Sequence, residues 1–143
     1  MILVDANILV YAVNPAAREY KAARAWLDAR LAGETRVGLP WQSLLAFIRL
    51  ATSRRVFARP IPVADAWRIV EMWLASEATF VPTPTARHAE VLGPLLRTRG
   101  LGPNDVPDAH LAALAIEHGL MLCSVDAGFA RFAALRWDNP LEA

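Results

Sequence analysis

The sequence predicts an α/β fold with a parallel sheet. The chain has 143 residues, which matches the size of one domain, and 55% of them are apolar, enough to build a sizeable core. Short apolar runs that are typical of buried strands alternate along the chain with longer segments of helical period. This alternation favours parallel strands joined by helical crossovers, and no repeat or linker interrupts it.

The strands are predicted from short apolar or β-branched runs that end at turn residues. The first, Met-Ile-Leu-Val, opens the chain and is typical of a fully buried strand. A later run ends at Pro82, and another follows Gly119. The predicted strands are residues 1–4, 79–81, 120–124 and 135–137.

The helices are predicted from apolar spacing and from end signals. Asn14-Pro15 is typical of a helix start, because Asn caps the first turn and Pro fits the first helical position. That helix should run to about Leu31, with Gly33 just past its end. Further helices are predicted over 41–52, 63–76, 85–97, 107–118 and 128–134, with loops at 54–62 and 98–107.

Composition excludes several classes of protein. No apolar run approaches the roughly 18–20 residues of a membrane span, so no membrane contact is expected. The apolar N-terminal run contains Asp5 and Asn7 and has no basic head, which argues against a signal peptide. Cys123 is the only cysteine, so no intramolecular disulfide can form, and we expect a cytoplasmic protein. The net charge of +1 is low for a protein that binds nucleic acid.

Three aspartates are expected at one edge of the sheet. Asp5 follows the first strand, Asp126 comes two residues after Ser124, and Asp108 lies in the first turn of helix 107–118. Ligands of open parallel sheets bind outside the carboxyl ends of the strands. Clustered carboxylates repel one another unless a cation offsets them, and Mg²⁺ or Mn²⁺ prefers such oxygen ligands. The chemistry that follows is phosphodiester hydrolysis.

Two of these three acids also have an ordinary structural explanation. Asp108 can complement the helix dipole, and Asp126 can form a turn, whereas Asp5 after a buried strand lacks such a role. Asn7 can orient Asp5. Structural roles are expected for the three histidines, His88, His110 and His118, and for the thiol of Cys123. Some of the tryptophans Trp26, Trp67 and Trp73 exceed the needs of one core and could line a groove for a partner.

The same segments carry a resemblance to a known family. Met-Ile-Leu-Val-Asp5-Ala-Asn7 resembles the opening of PIN-domain ribonucleases, and residues 108–119 and 122–132 resemble their third and fourth acidic segments. Residues 41–52 and the ending Leu-Arg-Trp-Asp-Asn-Pro-Leu141 are similar to actinobacterial VapC toxins of toxin–antitoxin modules. The match follows the whole chain in order.

The resemblance implies a single PIN domain over residues 1–143, a three-layer α/β/α fold with a central parallel sheet of four to five strands flanked by helices. It implies a Mg²⁺-dependent endoribonuclease, with Mn²⁺ as a substitute, that acts as a toxin through metal-activated water. It further implies a homodimer that a cognate VapB-like antitoxin inhibits. Asp5, Asp108 and Asp126 would be metal and catalytic residues, with Asn7 in support. Contacts to the RNA backbone are expected, by position alone, from Arg49, Arg54, Arg55 and Arg59.

Two departures from the family pattern keep other interpretations open. PIN nucleases usually carry a Glu where this chain has Phe47, and the nearby Gln42 and Ser43 supply no charge. A second acid is also common at Gly128, and a hydroxyl residue at Val125. The alternative function is therefore a catalytically weakened, PIN-like module that binds RNA or a partner. A phosphatase with Asp5 as nucleophile ranks last, because Asn7 stands where such enzymes need an acid. Asp105 is interpreted as a loop acid, and Ser43 and Ser124 lack a neighbouring His for a serine hydrolase.

Overall fold

A five-stranded parallel sheet forms the centre of residues 1–142, the part of the chain that the computed structural model describes. Its spatial order is β3-β2-β1-β4-β5, with every neighbouring pair parallel. The strands are β1 (Ile2–Val4), β2 (Val37–Gly38), β3 (Thr79–Phe80), β4 (Met121–Cys123) and β5 (Trp137–Asp138). The predicted parallel sheet is confirmed, and β2, too short to leave a periodic signal, is the strand that the sequence did not reveal.

Six α-helices within residues 1–142 cover the two faces of the sheet. They are α1 (Ala6–Val13), α2 (Tyr20–Leu31), α3 (Trp41–Ala51), α4 (Val63–Leu74), α5 (His88–Leu96) and α6 (Val106–His118). Side chains of β1 alternate between two cores: Ile2 and Val4 pack in the core of α1–α4, whereas Leu3 packs in the core of α5 and α6. The predicted three-layer α/β/α arrangement is therefore confirmed.

The direction of the chain across the sheet reverses between β1 and β4. From β1 the chain moves outward to β2 and β3 through α1–α4, and then returns through α5 and α6 to β4 on the other side of β1. Such a reversal leaves a crevice outside the carboxyl ends of the two strands, which is where ligands of open α/β sheets bind.

The predicted start of the first long helix is wrong. Asn14 closes α1 instead, since its N–H donates to the carbonyl of Val10, and its side chain accepts from Ala16 N–H at 3.2 Å in a turn. The following helix begins only at Tyr20. The cause is that Asn before Pro is equally favourable in a turn, and the helix that actually begins at Ala6 continues the apolar run of β1.

Two large apolar side chains of helices α3 and α4 are exposed. Leu45 on α3 and Trp67 on α4 face solvent, and the buried faces of these helices are formed by Leu44, Phe47 and Ala51 and by Ala66, Val70 and Trp73. Cys123 is buried as expected, and its thiol pKa rises to about 12, chiefly because of burial. Across residues 1–142, no helix has both the length and the apolarity of a membrane span.

Candidate active site

The carboxyl ends of β1 and β4 bring Asp5 and Asp126 to one edge of the sheet. Asp5 follows the last residue of β1 and caps α1, with Oδ1 accepting from the N–H of Ala6 at 2.7 Å. Asp126 caps the 3-10 helix Ala127–Arg131, with Oδ1 accepting from Gly128 N–H at 2.8 Å. Both positions favour Asp, because its short carboxylate satisfies free N–H groups at a helix start.

A buried hydroxyl, that of Ser124, connects the residues of this edge. Ser124 is fully buried, and its Oγ donates to Asp5 Oδ2 at 2.7 Å. The same oxygen accepts from Asn7 Nδ2 at 3.0 Å and from the N–H of Asp126 at 3.1 Å. Asn7 also donates to Asp5 Oδ2 at 3.4 Å and accepts from Val125 N–H at 3.4 Å. Asn7 therefore contacts Asp5 both directly and through Ser124, which was considered from the sequence only as a hydrolase nucleophile.

Asp108 joins the group from the first turn of α6. The start of α6 lies against the start of α3, because Gln42 Nε2 donates to the carbonyl of Pro107 at 2.9 Å. The pKa of Asp108 is raised to about 6, first by burial and then by the negative charges of Asp126 and Asp5, against a lowering effect of Arg131. The structure thus places Asp5, Asp108 and Asp126 within electrostatic reach of one another; we call them, with Asn7, the carboxylate site.

The electrostatics of Asp5 follow the same logic. Burial raises the pKa of this carboxyl, the hydrogen bonds from Ser124 and from the backbone of Ala6 lower it, and the charge of Asp126 raises it. Two of the three acids are therefore shifted toward the protonated form by burial and by one another. A cation among them would reverse this shift by favouring the ionised forms.

The donor set fits a hydrated hard cation. The three carboxylates offer only oxygen ligands, which suit Mg²⁺ and Mn²⁺. Among residues 1–142, no three His, Cys, Asp or Glu side chains are grouped closely enough to hold a metal ion by themselves. Mg²⁺ usually keeps several waters and takes one or two carboxylates, so it does not need a closed protein cage.

An arginine that the sequence did not single out lies beside the carboxylate site. Arg131 Nη2 lies 3.1 Å from Asp105 Oδ1 and 3.6 Å from Asp108 Oδ2. Asp105 is in turn fixed by Gly102, whose N–H donates to Oδ2 at 2.8 Å, and this hydrogen bond is the main cause that lowers the pKa of Asp105. The sequence feature that could have indicated Arg131 is its position in the same short segment as Asp126, which caps the 3-10 helix that Arg131 ends.

The departures from the family pattern have structural counterparts. Phe47 is fully buried in the apolar core, with its ring edge-on to Trp73 at a centroid distance of 4.7 Å. At Gly128 a Cβ atom would lie 3.0 Å from Asp126 Oδ1, so a side chain there would require that carboxylate to move. These two positions supply no acid, and the nearby polar group on α3 is the neutral amide of Gln42.

The four predicted RNA-contacting arginines lie away from the carboxylate site. Arg49 is exposed near the end of α3, and Arg54, Arg55 and Arg59 are exposed on the following loop. Arg59 lines a groove with residues 13–16, which follow the C-terminal end of α1, whereas Asp5 caps its N-terminal end. An eight-residue helix is about 12 Å long, and RNA contact by these residues stays a prediction.

Two of the histidines belong to a network that joins α5 to α6. The Glu117 carboxylate is inaccessible to solvent and accepts from Thr85 N–H at 2.9 Å, from Thr85 Oγ1 at 2.7 Å and from His88 Nδ1. His88 Nε2 lies 3.1 Å from His110 Nδ1. Burial would raise the pKa of Glu117, but the hydrogen bonds from His88 and Thr85 lower it overall. These contacts assign His88 and His110 to packing between helices.

The chain is similar to known proteins over nearly its whole length. The family model described as "PIN domain" matches residues 2–135. Ribonuclease VapC37 of Mycobacterium tuberculosis (strain ATCC 25618 / H37Rv) is 48% identical over 140 residues, which cover 98% of this chain and 97% of that protein. Ribonuclease VapC33 of Mycobacterium tuberculosis (strain CDC 1551 / Oshkosh) is 40% identical over 141 residues, 99% of each chain.

Solved structures show the same fold. VapBC-1 from nontypeable Haemophilus influenzae matches with a TM-score of 0.69 and 19% identity, covering 99% of this chain and 100% of that one. VapBC2 from Rickettsia felis, bound to a DNA fragment from its promoter, matches with a TM-score of 0.66 and 20% identity, covering 97% and 98%. At such identities the likeness concerns the fold alone.

Proposed function

This chain belongs to the PIN-domain family and, within it, to the VapC ribonucleases, and from that premise we propose that it is the toxin of a toxin–antitoxin pair, a Mg²⁺-dependent endoribonuclease. The observation that carries the proposal is the carboxylate site. Asp5, Asp108 and Asp126 lie at the crevice between β1 and β4, where burial and neighbouring acids raise the pKa of Asp5 and of Asp108 and the Ser124 hydroxyl joins Asp5 to the backbone of Asp126. Repulsion between these carboxylates destabilises the folded protein unless a bound cation offsets it.

Each residue of the site has a proposed task. Asp5 and Asp108 would hold the cation, with Asp126 as a further ligand through water or at a second position. Ser124 and Asn7 fix the Asp5 carboxylate by the hydrogen bonds already described. A cation held there would supply water activation for in-line attack on phosphorus and would offset the charge of the transition state. The RNA strand lies across the carboxyl edge of the sheet, and cleavage leaves a 5′-phosphate and a 3′-hydroxyl.

An apolar groove supports the proposed antitoxin partner. Helices α1, α2 and α4 border a groove of about 390 Å³ that Leu27, Leu31, Ile69 and Met72 line. Met72 is 73% exposed, so its apolar side chain at this groove is accessible to a partner. A short antitoxin segment with an apolar face fits such a groove, and a small reading frame beside this gene would agree with it.

A second apolar face supports the proposed homodimer. Trp41 and Trp67 stack with a centroid distance of 6.3 Å, and each stays about two-fifths exposed. Leu45, one turn after Trp41, and Val63, one turn before Trp67, are exposed as well. Aromatic side chains in the company of exposed aliphatic ones are enriched at protein interfaces.

The test is cleavage of RNA by the purified chain, free of any antitoxin. We expect total bacterial RNA to be cut at discrete positions in the presence of Mg²⁺ or Mn²⁺, with 5′-phosphate ends, and to stay intact in EDTA. Asp5→Ala and Asp108→Ala should both abolish cleavage. If both variants cut as fast as the unmodified chain, the mechanism is wrong.

The buried Phe47 keeps one further candidate function in view. Because an acid is missing at this position, the chain could bind RNA or a partner without cutting it. Expression in a bacterial host separates the two functions. Growth arrest that disappears in the Asp5→Ala variant supports the nuclease, and equal arrest by both proteins supports the binding module.

A further inference from the structure

Arg131 is a cation built into the edge of the carboxylate site. It is the last residue of the 3-10 helix that Asp126 caps, so the same short segment supplies a carboxylate and a guanidinium cation to the carboxylate site. Its guanidinium faces Asp105 and Asp108 from distances of 3.1 and 3.6 Å, and its side chain is 29% exposed.

The guanidinium is only partly used by these contacts. Both ion pairs employ the same nitrogen, Nη2, rather than the two-nitrogen fork that makes an Arg–carboxylate pair strong. The Nε atom is buried and finds no hydrogen-bond partner among residues 1–142. The face of the guanidinium lies over the Phe132 ring, with Cζ 5.0 Å from the ring centroid. The group is thus held in place at the site through Nη2, and Nη1 takes part in neither ion pair.

Asp108 does not serve as a permanent hydrogen-bond partner of the Arg131 guanidinium. That carboxylate lies beyond hydrogen-bond distance from Arg131, and the charges of Asp5 and Asp126 favour its engagement with a cation at the centre of the site. Asp105, by contrast, is fixed to the Gly102 backbone and keeps Arg131 at the rim. Arginine recognises phosphate through its planar N–H donors, and Nη1, which takes part in neither ion pair, is the nitrogen left for that contact.

We propose that Arg131 binds a phosphate of the RNA at the scissile position, with Asp105 holding its guanidinium beside Asp108. This inference rests on the proposed nuclease function and adds to it the residue that positions the reacting phosphate. Arg131 adds a phosphate contact at the site itself to the backbone contacts predicted for the more distant arginines. The simpler role, a counter-ion that pins the 102–105 turn to α6, makes different predictions.

The experiment compares Arg131→Gln and Arg131→Lys with a matched control, Arg18→Gln, which removes a fully exposed arginine. An RNA oligonucleotide that spans a mapped cut is used for steady-state kinetics in Mg²⁺. We expect Arg131→Gln to lower kcat/KM about 10- to 100-fold, the usual range for losing a charge-assisted contact. Arg131→Lys should recover part of this loss because it keeps the charge without the fork.

A second readout is independent of cleavage. Binding of the same oligonucleotide is measured in EDTA by fluorescence anisotropy at several salt concentrations. One lost phosphate contact lowers the slope of log K against log salt by about 0.7 for a single strand. We expect this drop in Arg131→Gln and not in Arg131→Lys or Arg18→Gln. A merely structural role would weaken binding without changing the slope.

The outcomes distinguish this inference from the proposed function. If the unmodified chain cuts no RNA in Mg²⁺, the proposed function fails. If it cuts RNA and Arg131→Gln cuts as fast, the inference is overturned while the nuclease stands. If Arg131→Gln and Arg131→Lys lose activity equally with an unchanged salt slope, Arg131 is a structural counter-ion and the inference is again overturned. Thermal melts of all variants confirm that the folded protein is being compared.

Discussion

At the scale of single residues, the chemistry of this protein depends on how one buried hydroxyl is shared. Ser124 donates to Asp5 and accepts from Asn7 and from the backbone of Asp126. A hydroxyl has one donor and two acceptor sites, so these three contacts use its full capacity. The orientation of both acids at the ends of β1 and β4 therefore depends on a neutral residue between them.

Replacing this serine should loosen the whole site. We expect Ser124→Ala to lower kcat/KM for RNA at least tenfold, because Asp5 loses the hydrogen bond that fixes its Oδ2. We also expect the free energy of unfolding to fall by about 1–3 kcal/mol, since Asn7 and the Asp126 N–H lose a buried partner. Kinetics and urea unfolding measure the two effects. Ser53→Ala is the matched control, because its hydroxyl accepts only from Arg55 N–H, and an equal loss in both variants would contradict this account.

The raised pKa of Asp108 predicts a pH dependence of stability without metal. Between its ordinary value of 3.8 and about 6, this carboxyl binds a proton in the folded protein but not in the unfolded one. The folded state therefore loses stability as pH rises through this window. Asp108→Asn lacks the titrating group. In EDTA, the free energy of unfolding of this variant minus that of the unmodified chain should therefore increase from pH 4 to pH 6, and the difference should stay constant above pH 6.

Urea unfolding across this pH range measures the difference. Asp65→Asn, on the exposed side of α4, should follow the unmodified chain at every pH. Adding Mg²⁺ at pH 7 should remove the advantage of Asp108→Asn, because the cation stabilises only the ionised site. If the difference in free energy of unfolding between Asp108→Asn and the unmodified chain does not change with pH, burial and the neighbouring acids do not raise the pKa of Asp108.

Sequence reasoning reached the acids but not their partners. Asp5, Asn7 and Asp126 were predictable because each follows a buried strand at a known distance, and Asp108 because Pro107 marks a helix start. Ser124 and Arg131 were not, because their roles depend on side-chain directions that arise only after β4 and the following turn have packed. The arginines on 49–59 were chosen by position alone, and the fold sets them at the far end of α1 and α3.

At the scale of elements, the face of the sheet opposite α1–α4 is stabilised by a polar network as well as by packing. Glu117 on α6 binds the Thr85 turn and His88 on α5, and His88 reaches His110. A buried carboxylate with several donors is stable only while they are all present. This network holds the helix that carries Asp108 at its other end.

Truncation of Glu117 should therefore destabilise the fold. We expect Glu117→Ala to lower the free energy of unfolding by about 2–4 kcal/mol, because Thr85 and His88 lose a charged partner in a buried place. Glu90→Ala, which removes an exposed acid of α5, should change it by less than about 0.5 kcal/mol. Urea unfolding at pH 7 measures both variants. Equal values would mean that the apolar contacts alone join α5 to α6.

Element boundaries show where local signals compete. The Asn14-Pro15 pair predicted a helix start and is a turn, since the same residues favour both structures. By contrast, α6 was predicted almost to its ends, because Pro107 opens it and Gly119 closes it at a φ of 66°, a conformation that Gly adopts without strain. Residues that favour a single local structure, such as the glycine that closes α6, predicted the helix boundary correctly. The Asn14-Pro15 pair, which favours both a turn and a helix start, did not.

At the scale of the whole molecule, the low net charge ceases to argue against an RNA substrate. Four of the 14 acids, Asp5, Asp105, Asp108 and Asp126, gather at one edge of the sheet, where Arg131 and a cation would offset them. The remaining surface is correspondingly richer in arginine. Charge distribution, which the sequence total conceals, is what RNA would meet.

The exposed face of Trp41, Leu45, Val63 and Trp67 predicts self-association. We expect the purified chain to be a dimer at micromolar concentration and Leu45→Glu to be a monomer, because a charge in an apolar interface is costly to desolvate. Light scattering after size-exclusion chromatography measures the mass. Met72→Glu, on the other apolar surface, should stay dimeric; a monomeric unmodified chain would contradict this assignment.

The central claim is that the acids between β1 and β4 cut RNA with a divalent cation. The most direct measurement is the single-turnover rate of RNA cleavage as a function of Mg²⁺ concentration for the unmodified chain, Asp108→Asn and Asp65→Asn. We predict that the first and third saturate alike, and that Asp108→Asn is at least about 100-fold slower at every concentration. Equal rates for Asp108→Asn and the unmodified chain, or cleavage that persists in EDTA, would contradict the claim.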